Sequence, residues 1–220
     1  MEWSKTAVVL IDLQKESQFG INGLEEVISN TSNLVAEARE HNLPIIYTRQ
    51  INRADQVGLS NGEPLKDNLT PFYYSTDTED IEIFDEIKPD TNDIIIDKHR
   101  WSAFYETNLD LYLRSMNIEN LIIGGLVTDG CLMTSVFDAY FRDYQVNLVK
   151  DICGTSNEGA HMSSILIMAN WVYDMKIYNT DELIKHLNGK EHTFWEASAP
   201  DSMQFTPESM REIYSKLDER

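Results

Sequence analysis

The chain has few cysteines and no long apolar run. Its 220 residues include two cysteines, Cys131 and Cys153, and no secretory signal follows Met1, so we expect both thiols to be reduced. A disulfide between them is the less favoured alternative. No apolar run approaches the roughly 20 residues that a membrane-spanning helix needs. The sequence therefore predicts a cytoplasmic protein that is neither secreted nor anchored in a membrane.

Basic residues are about half as common as acidic ones. The 18 lysines and arginines stand against 37 aspartates and glutamates, which gives a formal net charge of −19 at pH 7. This charge repels phosphate backbones and anionic lipid surfaces, so we expect no nucleic-acid partner and no membrane partner. Solubility is the simplest role of the charge, and selection of a cationic substrate is the alternative.

The common motifs of cofactor, metal and serine chemistry are also missing. The first apolar run ends in Ile11-Asp12-Leu13-Gln14 without the glycine-rich turn that a dinucleotide needs, and no P-loop occurs. The five histidines form no H-E-x-x-H pair, and there is no G-x-S-x-G elbow. We expect no cofactor, and we expect His161 to be a packing residue of a helix.

Short apolar runs alternate with segments of helical period along most of the chain. This pattern predicts a single α/β domain over residues 1–220, a three-layer α/β/α Rossmann-like fold with a six-stranded, mainly parallel sheet. A C-terminal extension of about residues 190–220 includes a predicted short helix from Thr206 to Leu217. The polar stretch from 50 to 93 is too long for a simple connection, which indicates a lid or a pocket wall. The predicted strands lie at 7–11, 44–48, 94–96, 121–123, 146–149 and 175–178.

Polar residues follow three of these strands at the edge where open α/β sheets bind ligands. Asp12 and Lys98 end the first and third strands, and their opposite charges would keep both ionised. Cys131 follows the fourth strand at the start of a helix, whose dipole and N–H groups favour a thiolate and can form an oxyanion hole. Each residue alone has an ordinary structural explanation, but together they predict a nucleophilic site. Cys153, between Ile152 and Gly154, is expected to be structural.

Three motifs, in this order, resemble those of the isochorismatase-like cysteine hydrolases over about residues 5–188. They are Asp12-Leu13-Gln14, Lys98 with Ser102-Ala103-Phe104, and Gly125-Leu126-Val127-Thr128-Asp129-Gly130-Cys131. The family includes nicotinamidase, N-carbamoylsarcosine amidohydrolase, biuret hydrolase and streptothricin hydrolase. The resemblance implies a catalytic triad of Asp12, Lys98 and Cys131, a cis Val127–Thr128 peptide and an oxyanion hole from the N–H groups of Thr128 and Cys131. It also implies a homo-oligomer, a dimer or tetramer.

One departure from the family narrows the expected chemistry. Nicotinamidases bind a metal through an aspartate and histidines just after the second strand, whereas this chain has Arg49-Gln50-Ile51-Asn52-Arg53 there. We therefore expect no catalytic metal.

The expected function is a metal-independent cysteine hydrolase that cleaves a C–N bond of a small amide, carbamoyl or cyclic amide substrate through a Cys131 thioester. The alternatives are an isochorismatase-type vinyl ether hydrolase, a nicotinamidase and a non-catalytic binding protein on the same fold. Core packing is an alternative role for the aromatic residues among the expected substrate-binding residues, which are Gln14, Phe19, Trp101, Phe104 and Tyr105.

Overall fold

Strands and helices alternate along the chain in a computed structural model that describes residues 1–16 and 20–218. The strands are β1 (Thr6–Ile11), β2 (Ile45–Gln50), β3 (Ile94–Lys98), β4 (Asn120–Leu126), β5 (Gln145–Gly154), β6 (Lys176–Tyr178) and β7 (Trp195–Glu196). The helices are α1 (Leu24–Glu40), α2 (Leu109–Ser115), α3 (Met133–Tyr140), α4 (Glu158–Trp171), α5 (Thr180–Leu187) and α6 (Met210–Ser215). One turn of π-helix, Thr128–Leu132, precedes α3.

The strands form one sheet in the order β3-β2-β1-β4-β5-β6-β7. The first six are parallel, and β7 pairs antiparallel with β6. The predicted α/β fold class is confirmed, but the sheet has seven strands instead of six. The added strand, β7, has only two residues, which is too short to produce a recognisable hydrophobic pattern.

Helices cover both faces of the sheet, as the three-layer prediction required. Apolar residues of α1 and α5 pack with those of β1 and β2 in one buried cluster. Those of α2, α3 and α4 form a second cluster on the opposite face. The side chains of β1 from Ala7 to Ile11 are fully buried, because this central strand is covered on both faces.

The C-terminal extension packs against the rest of the fold. Met203 and Leu217 are buried in the cluster formed by α2, α3 and α4. The predicted helix is shorter than expected and begins at Met210, because Thr206 and Ser209 bond to each other in a preceding turn. The N–H of each donates to the hydroxyl oxygen of the other, at 2.9 and 3.2 Å.

β1 lies between β2 and β4, so the ends of these strands converge. β4 approaches β1 so closely at Gly125 that a Cβ atom there would lie 2.1 Å from the carbonyl oxygen of Ile11. The φ of Gly125 is +131°, which L-residues rarely adopt. Only glycine therefore fits where β4 passes the end of β1, next to Asp12.

Among residues 1–16 and 20–218, no helix has the length and apolar character needed to cross a membrane. The cytoplasmic location stays a prediction.

Candidate active site

Asp12 and Lys98 form an ion pair that is completely shielded from solvent. The Nζ of Lys98 lies 2.6 Å from Oδ2 of Asp12, and both side chains are 0 % exposed. Burial by itself lowers the pKa of Lys98, but the Asp12 carboxylate and the Cys131 sulfur more than offset this, so the pKa is raised. Lys98 is therefore protonated at neutral pH, and its charge stabilises the carboxylate of Asp12.

Side chains of β2 hold the ion pair in place. Thr48 Oγ1 donates to Oδ1 of Asp12 at 2.6 Å, and Lys98 Nζ donates to Oε1 of Gln50 at 2.9 Å. The carbonyl oxygen of Arg100 accepts a further bond from Lys98 Nζ at 3.1 Å. Among the described residues, Oδ2 of Asp12 has no partner of good hydrogen-bond geometry, although it faces Lys98.

The Cys131 thiol interacts with both members of the ion pair and is 6 % exposed. Burial raises its pKa to about 12, with Lys98 lowering it and Asp12 raising it. We had expected the helix start to favour a thiolate. The resting thiol is instead protonated, because removal from water outweighs the neighbouring positive charge.

The turn that carries Cys131 differs by one residue from its expected conformation. The cis peptide bond joins Leu126 to Val127, not Val127 to Thr128. β4 ends at Leu126, three residues beyond the predicted strand 121–123, so the cis bond directly follows the last strand residue. Val127, Gly130 and Cys131 line the adjacent cavity, whereas Thr128 is fully buried and does not.

The Ser102-Ala103-Phe104 motif fixes the position of the helix that follows Cys131. The N–H of Ala103 donates to Ser135 Oγ at 2.8 Å, and Ser135 Oγ donates to the carbonyl oxygen of Cys131 at 2.6 Å. Ser102 donates its hydroxyl to Asp138 of α3. The motif therefore connects the loop after Lys98 to the nucleophile.

A cavity of about 920 Å³ opens beside Cys131. The 50–93 segment supplies part of its wall, at residues 60–64 and at Tyr73 and Tyr74, which agrees with the predicted role of this segment. Two expected substrate-binding residues, Trp101 and Tyr105, line the cavity and are more than half exposed. The cavity therefore combines aromatic surface with access to Cys131.

Two other expected substrate-binding residues, Phe104 and Gln14, do not line this cavity. Phe104 is buried in the core beside Tyr144, with ring centroids 5.9 Å apart. Gln14 is buried and holds the backbone of Gln50 through both its amide oxygen, at 2.8 Å, and its amide nitrogen, at 3.1 Å. Its role is to join the ends of β1 and β2. Phe19 lies outside the described residues.

Three cavity residues were not found from the sequence. Gln50 meets Lys98 because the two pair in register at the ends of β2 and β3. Tyr74 is buried near the triad, where burial first and then Asp12 and Cys131 raise its pKa. Arg100 lines the same cavity. Only the strand register brings Gln50 to Lys98, and only the path of the 50–93 segment brings Tyr74 to the cavity, and neither has a signal in the sequence. Arg100 lies between Lys98 and Trp101 in the sequence, and this adjacency is a signal that could have found it.

No group of three or more potential metal ligands occurs within the part of the chain that the structure describes. Metal independence stays a prediction. Cys131 and Cys153 are both free thiols. Cys153 donates its thiol to the carbonyl oxygen of Val149 at 3.1 Å, as a structural residue would.

The fold and much of the sequence match known proteins. Residues 6–176 match the model of the isochorismatase domain. This chain belongs to the isochorismatase family. Its identification as an isochorismatase-like hydrolase is confirmed, and the curated relatives below bear out its assignment as an enzyme.

The relatives carry names of amide-cleaving enzymes. The chain is 27 % identical to an N-carbamoylsarcosine amidase of Arthrobacter over 192 residues, which cover 84 % of this chain and 72 % of the relative. It is 29 % identical to a ureidoacrylate amidohydrolase of Agrobacterium fabrum over 173 residues, 67 % of this chain and 75 % of the relative. A cysteine hydrolase from Pseudomonas syringae has the same fold, with a TM-score of 0.76 and 24 % identity over 86 % of this chain and 95 % of its own.

Proposed function

We propose that this protein is a metal-independent cysteine amidohydrolase that cleaves a C–N bond of a carbamoyl or ureido group in a small substrate bearing a carboxylate. The observation that carries the reaction type is the buried set of Asp12, Lys98 and Cys131, of which Cys131 lines an open cavity. The names of the relatives, N-carbamoylsarcosine amidase and ureidoacrylate amidohydrolase, support the substrate class.

Asp12 acts first as a general base in the proposed mechanism. It takes the proton of the neutral Cys131 thiol, and the sulfur attacks the carbonyl carbon of the substrate. Protonated Asp12 then gives this proton to the departing nitrogen as the C–N bond breaks. Water, deprotonated by Asp12, hydrolyses the thioester and restores the thiol. Lys98 holds Asp12 in place and balances its charge while the proton moves.

Backbone N–H groups of the turn stabilise the oxyanion in this proposal. We had expected Thr128 and Cys131 to supply them. Cys131 remains a donor, but the cavity lining favours Val127 over Thr128 as the second, because Val127 lines the cavity and Thr128 does not.

Arg100 is the proposed partner of the substrate carboxylate. It is the one arginine among the described residues without a carboxylate partner, although acidic residues exceed basic ones 37 to 18. Its Nη1 donates to the carbonyl oxygens of Gly58, at 3.0 Å, and His99, at 2.6 Å. No bond from Nε or Nη2 reaches another described residue. That edge of the guanidinium is the one that binds a carboxylate through two parallel bonds.

The acidic surface repels an anionic substrate, whereas Arg100 attracts its carboxylate, and the repulsion and the attraction differ in range. Glu63 and Asp129 also line the cavity. Repulsion between separated charges is screened over about 8 Å at physiological ionic strength. Hydrogen bonds to charged groups at contact contribute about 1.5–3 kcal/mol each. In this proposal the contact with Arg100 offsets the screened repulsion of the acidic surface, whereas Glu63, Asp129 and Asp138 in the cavity lining act against it.

The test is a substrate panel assayed for ammonia release, comprising N-carbamoyl amino acids, a ureidoacrylate, biuret and nicotinamide. We expect turnover of the carboxylate-bearing ureides, and Arg100→Gln should raise their KM about tenfold or more because a charge-assisted hydrogen bond is lost. The matched control, Arg114→Gln, removes an exposed ion pair with Asp110 and should leave KM unchanged.

Each alternative predicts a different outcome of the panel. Hydrolysis of nicotinamide that Arg100→Gln does not affect would contradict the carboxylate assignment, and loss of activity in EDTA with recovery in zinc would contradict metal independence. Isochorismate is assayed separately because its hydrolysis releases no ammonia, and turnover that survives Cys131→Ala would support the vinyl ether alternative. No turnover of any substrate would support a binding protein.

We also propose that the protein assembles into a dimer or tetramer. The supporting feature is an exposed aromatic surface formed by Tyr140, Phe141 and Tyr173. Phe141 is 70 % exposed and Tyr173 48 % exposed, and their rings contact Tyr140 with centroids 5.9 and 6.2 Å apart. Aromatic residues are enriched at protein interfaces, and a second copy of the chain is the proposed occupant.

A further inference from the structure

Two consecutive hydrogen bonds link the C-terminal helix to the turn that carries Cys131. Thr128 Oγ1 lies 2.9 Å from Nδ1 of His161, and Nε2 of His161 lies 2.8 Å from the hydroxyl oxygen of Tyr214. Thr128 opens the turn, His161 lies in the first turn of α4, and Tyr214 lies in α6. We call these three side chains the Thr128–His161–Tyr214 chain.

The His161 ring uses both of its neighbours in this chain as hydrogen-bond partners. Burial first, and then the charge of Lys150, lowers the pKa of His161, so its ring is neutral at pH 7. A neutral imidazole has one N–H donor and one acceptor nitrogen, and the two contacts use both. Either tautomer satisfies the chain, with the direction of donation reversed. Removing the Tyr214 hydroxyl would leave one ring nitrogen without a protein partner in a largely buried position.

The chain approaches the turn from the side away from the cavity at Cys131. Thr128 is fully buried and does not line that cavity, although Val127 and Gly130 do. His161 and Tyr214 line a different cavity, of about 570 Å³, which shares no described lining residue with the first. These side chains therefore do not touch a substrate at Cys131 and can act only through the turn.

Other contacts fix α6 so that it can serve as an anchor. Arg211 of α6 forms a two-bond ion pair with Glu158 at the start of α4, one bond being 2.8 Å long. Asp218, just after α6, accepts from Lys150 of β5 at 2.7 Å. The ammonium of Lys150 also lies 4.6 Å from the ring centroid of Tyr214. The family match ends at residue 176, so this anchor lies beyond it.

We propose that His161 and Tyr214 are positioning residues, through which the C-terminal helix holds the oxyanion-binding turn by the hydroxyl of Thr128. The expected effect on turnover rests on the proposed function, whereas the expected restraint of the turn does not. Oxyanion stabilisation depends on donors that are fixed before the reaction. Small displacements of positioning groups cost large factors in rate, so restraint of this turn bears directly on turnover.

The test compares Tyr214→Phe and Thr128→Val with the wild-type enzyme. Each variant keeps the shape of the side chain and removes one hydroxyl. We expect kcat to fall about tenfold in each variant, because one lost hydrogen bond that contributes in the transition state has an effect of this size. KM should stay within about twofold of the wild-type value. Thr128→Ser, which keeps the hydroxyl, should restore most of kcat. The double variant should have a kcat no lower than that of the slower single variant, because both changes break the same Thr128–His161–Tyr214 chain.

Tyr178→Phe is the matched control. Its hydroxyl contacts Nδ1 of His186 at 3.3 Å, so the variant also removes a tyrosine–histidine hydrogen bond, but in a pair that does not reach the turn. It should keep the wild-type kcat. An unchanged kcat in Tyr214→Phe, or an equal loss in Tyr178→Phe, would overturn the proposal.

Hydrogen exchange separates this proposal from the proposed function. Amide exchange in the peptide covering residues 127–132 should be faster in Tyr214→Phe than in wild type, and unchanged in Tyr178→Phe. Absence of amide hydrolysis by the wild-type enzyme would refute the proposed function, and the exchange comparison would still decide whether α6 restrains the turn. Equal exchange in wild type and Tyr214→Phe would overturn the restraint.

Discussion

Cys131 is a buried thiol whose pKa is raised to about 12, and for this reason the proposed mechanism includes a neighbouring base. Its place at the start of a helix could be predicted from the sequence, but its burial could not, and burial decides the protonation state. The residues around Cys131 also divide into those that the sequence could predict and those that it could not. Asp12 and Lys98 were predictable because each ends a recognisable apolar run. Gln50 and Tyr74 were not predictable, since they reach the cavity only through strand register and loop path.

The pH dependence of Cys131 alkylation tests the protonated state. With a pKa raised to about 12, the thiolate fraction should increase about tenfold per pH unit from pH 7 to 10, and the rate of iodoacetamide labelling should follow it. A free thiol would level off above about pH 9. Peptide mass mapping gives the rate at each cysteine. A plateau below pH 8 at Cys131 would show a resting thiolate and remove the need for Asp12 as the first base.

At the scale of elements, the end of β4 determines where the catalytic turn begins. The motif from Gly125 to Cys131 is recognisable, yet the cis bond lies one residue before the position that the resemblance implies. β7 was missed because it is only two residues long. The parallel strands were predictable since continuous apolar runs are typical of strands buried on both faces.

Gly125→Ala tests the close passage of β4 across β1. We expect a loss of about 2–5 kcal/mol in the free energy of unfolding, from the strain of a positive φ and the overlap with Ile11. Gly159→Ala is the control in the first turn of α4, where a Cβ would lie 3.3 Å from Asn157, and it should change stability by less than about 1 kcal/mol. Urea unfolding followed by circular dichroism measures both. Equal stability of the two variants would contradict the packing argument.

At the scale of the whole molecule, a net charge of −19 coexists with an exposed aromatic surface. The charge was readable from composition, and the absence of phosphate-binding motifs followed from inspection. The aromatic surface could not be predicted, because the sequence does not show that Tyr173 lies against the end of α3. Overall composition can be counted from the sequence, whereas the residues that become neighbours on the folded surface cannot.

Phe141→Glu tests whether this surface joins two copies of the chain. We expect the wild-type protein to have two or four times the 25.4 kDa chain mass, and the variant to have the mass of one chain, because a charge would be buried at the interface. Leu111→Glu is the control at another exposed apolar residue of similar exposure, 64 % against 70 %, and should keep the wild-type mass. Light scattering after gel filtration measures the mass. Loss of assembly in both variants, or in neither, would contradict the assignment.

The central claim is that Cys131 forms a covalent intermediate, and the most direct measurement is mass spectrometry of enzyme quenched with acid during turnover. The account predicts an acyl or carbamoyl adduct on the peptide that contains Cys131, and neither adduct nor turnover in Cys131→Ala. Turnover that continues in Cys131→Ala would contradict the account.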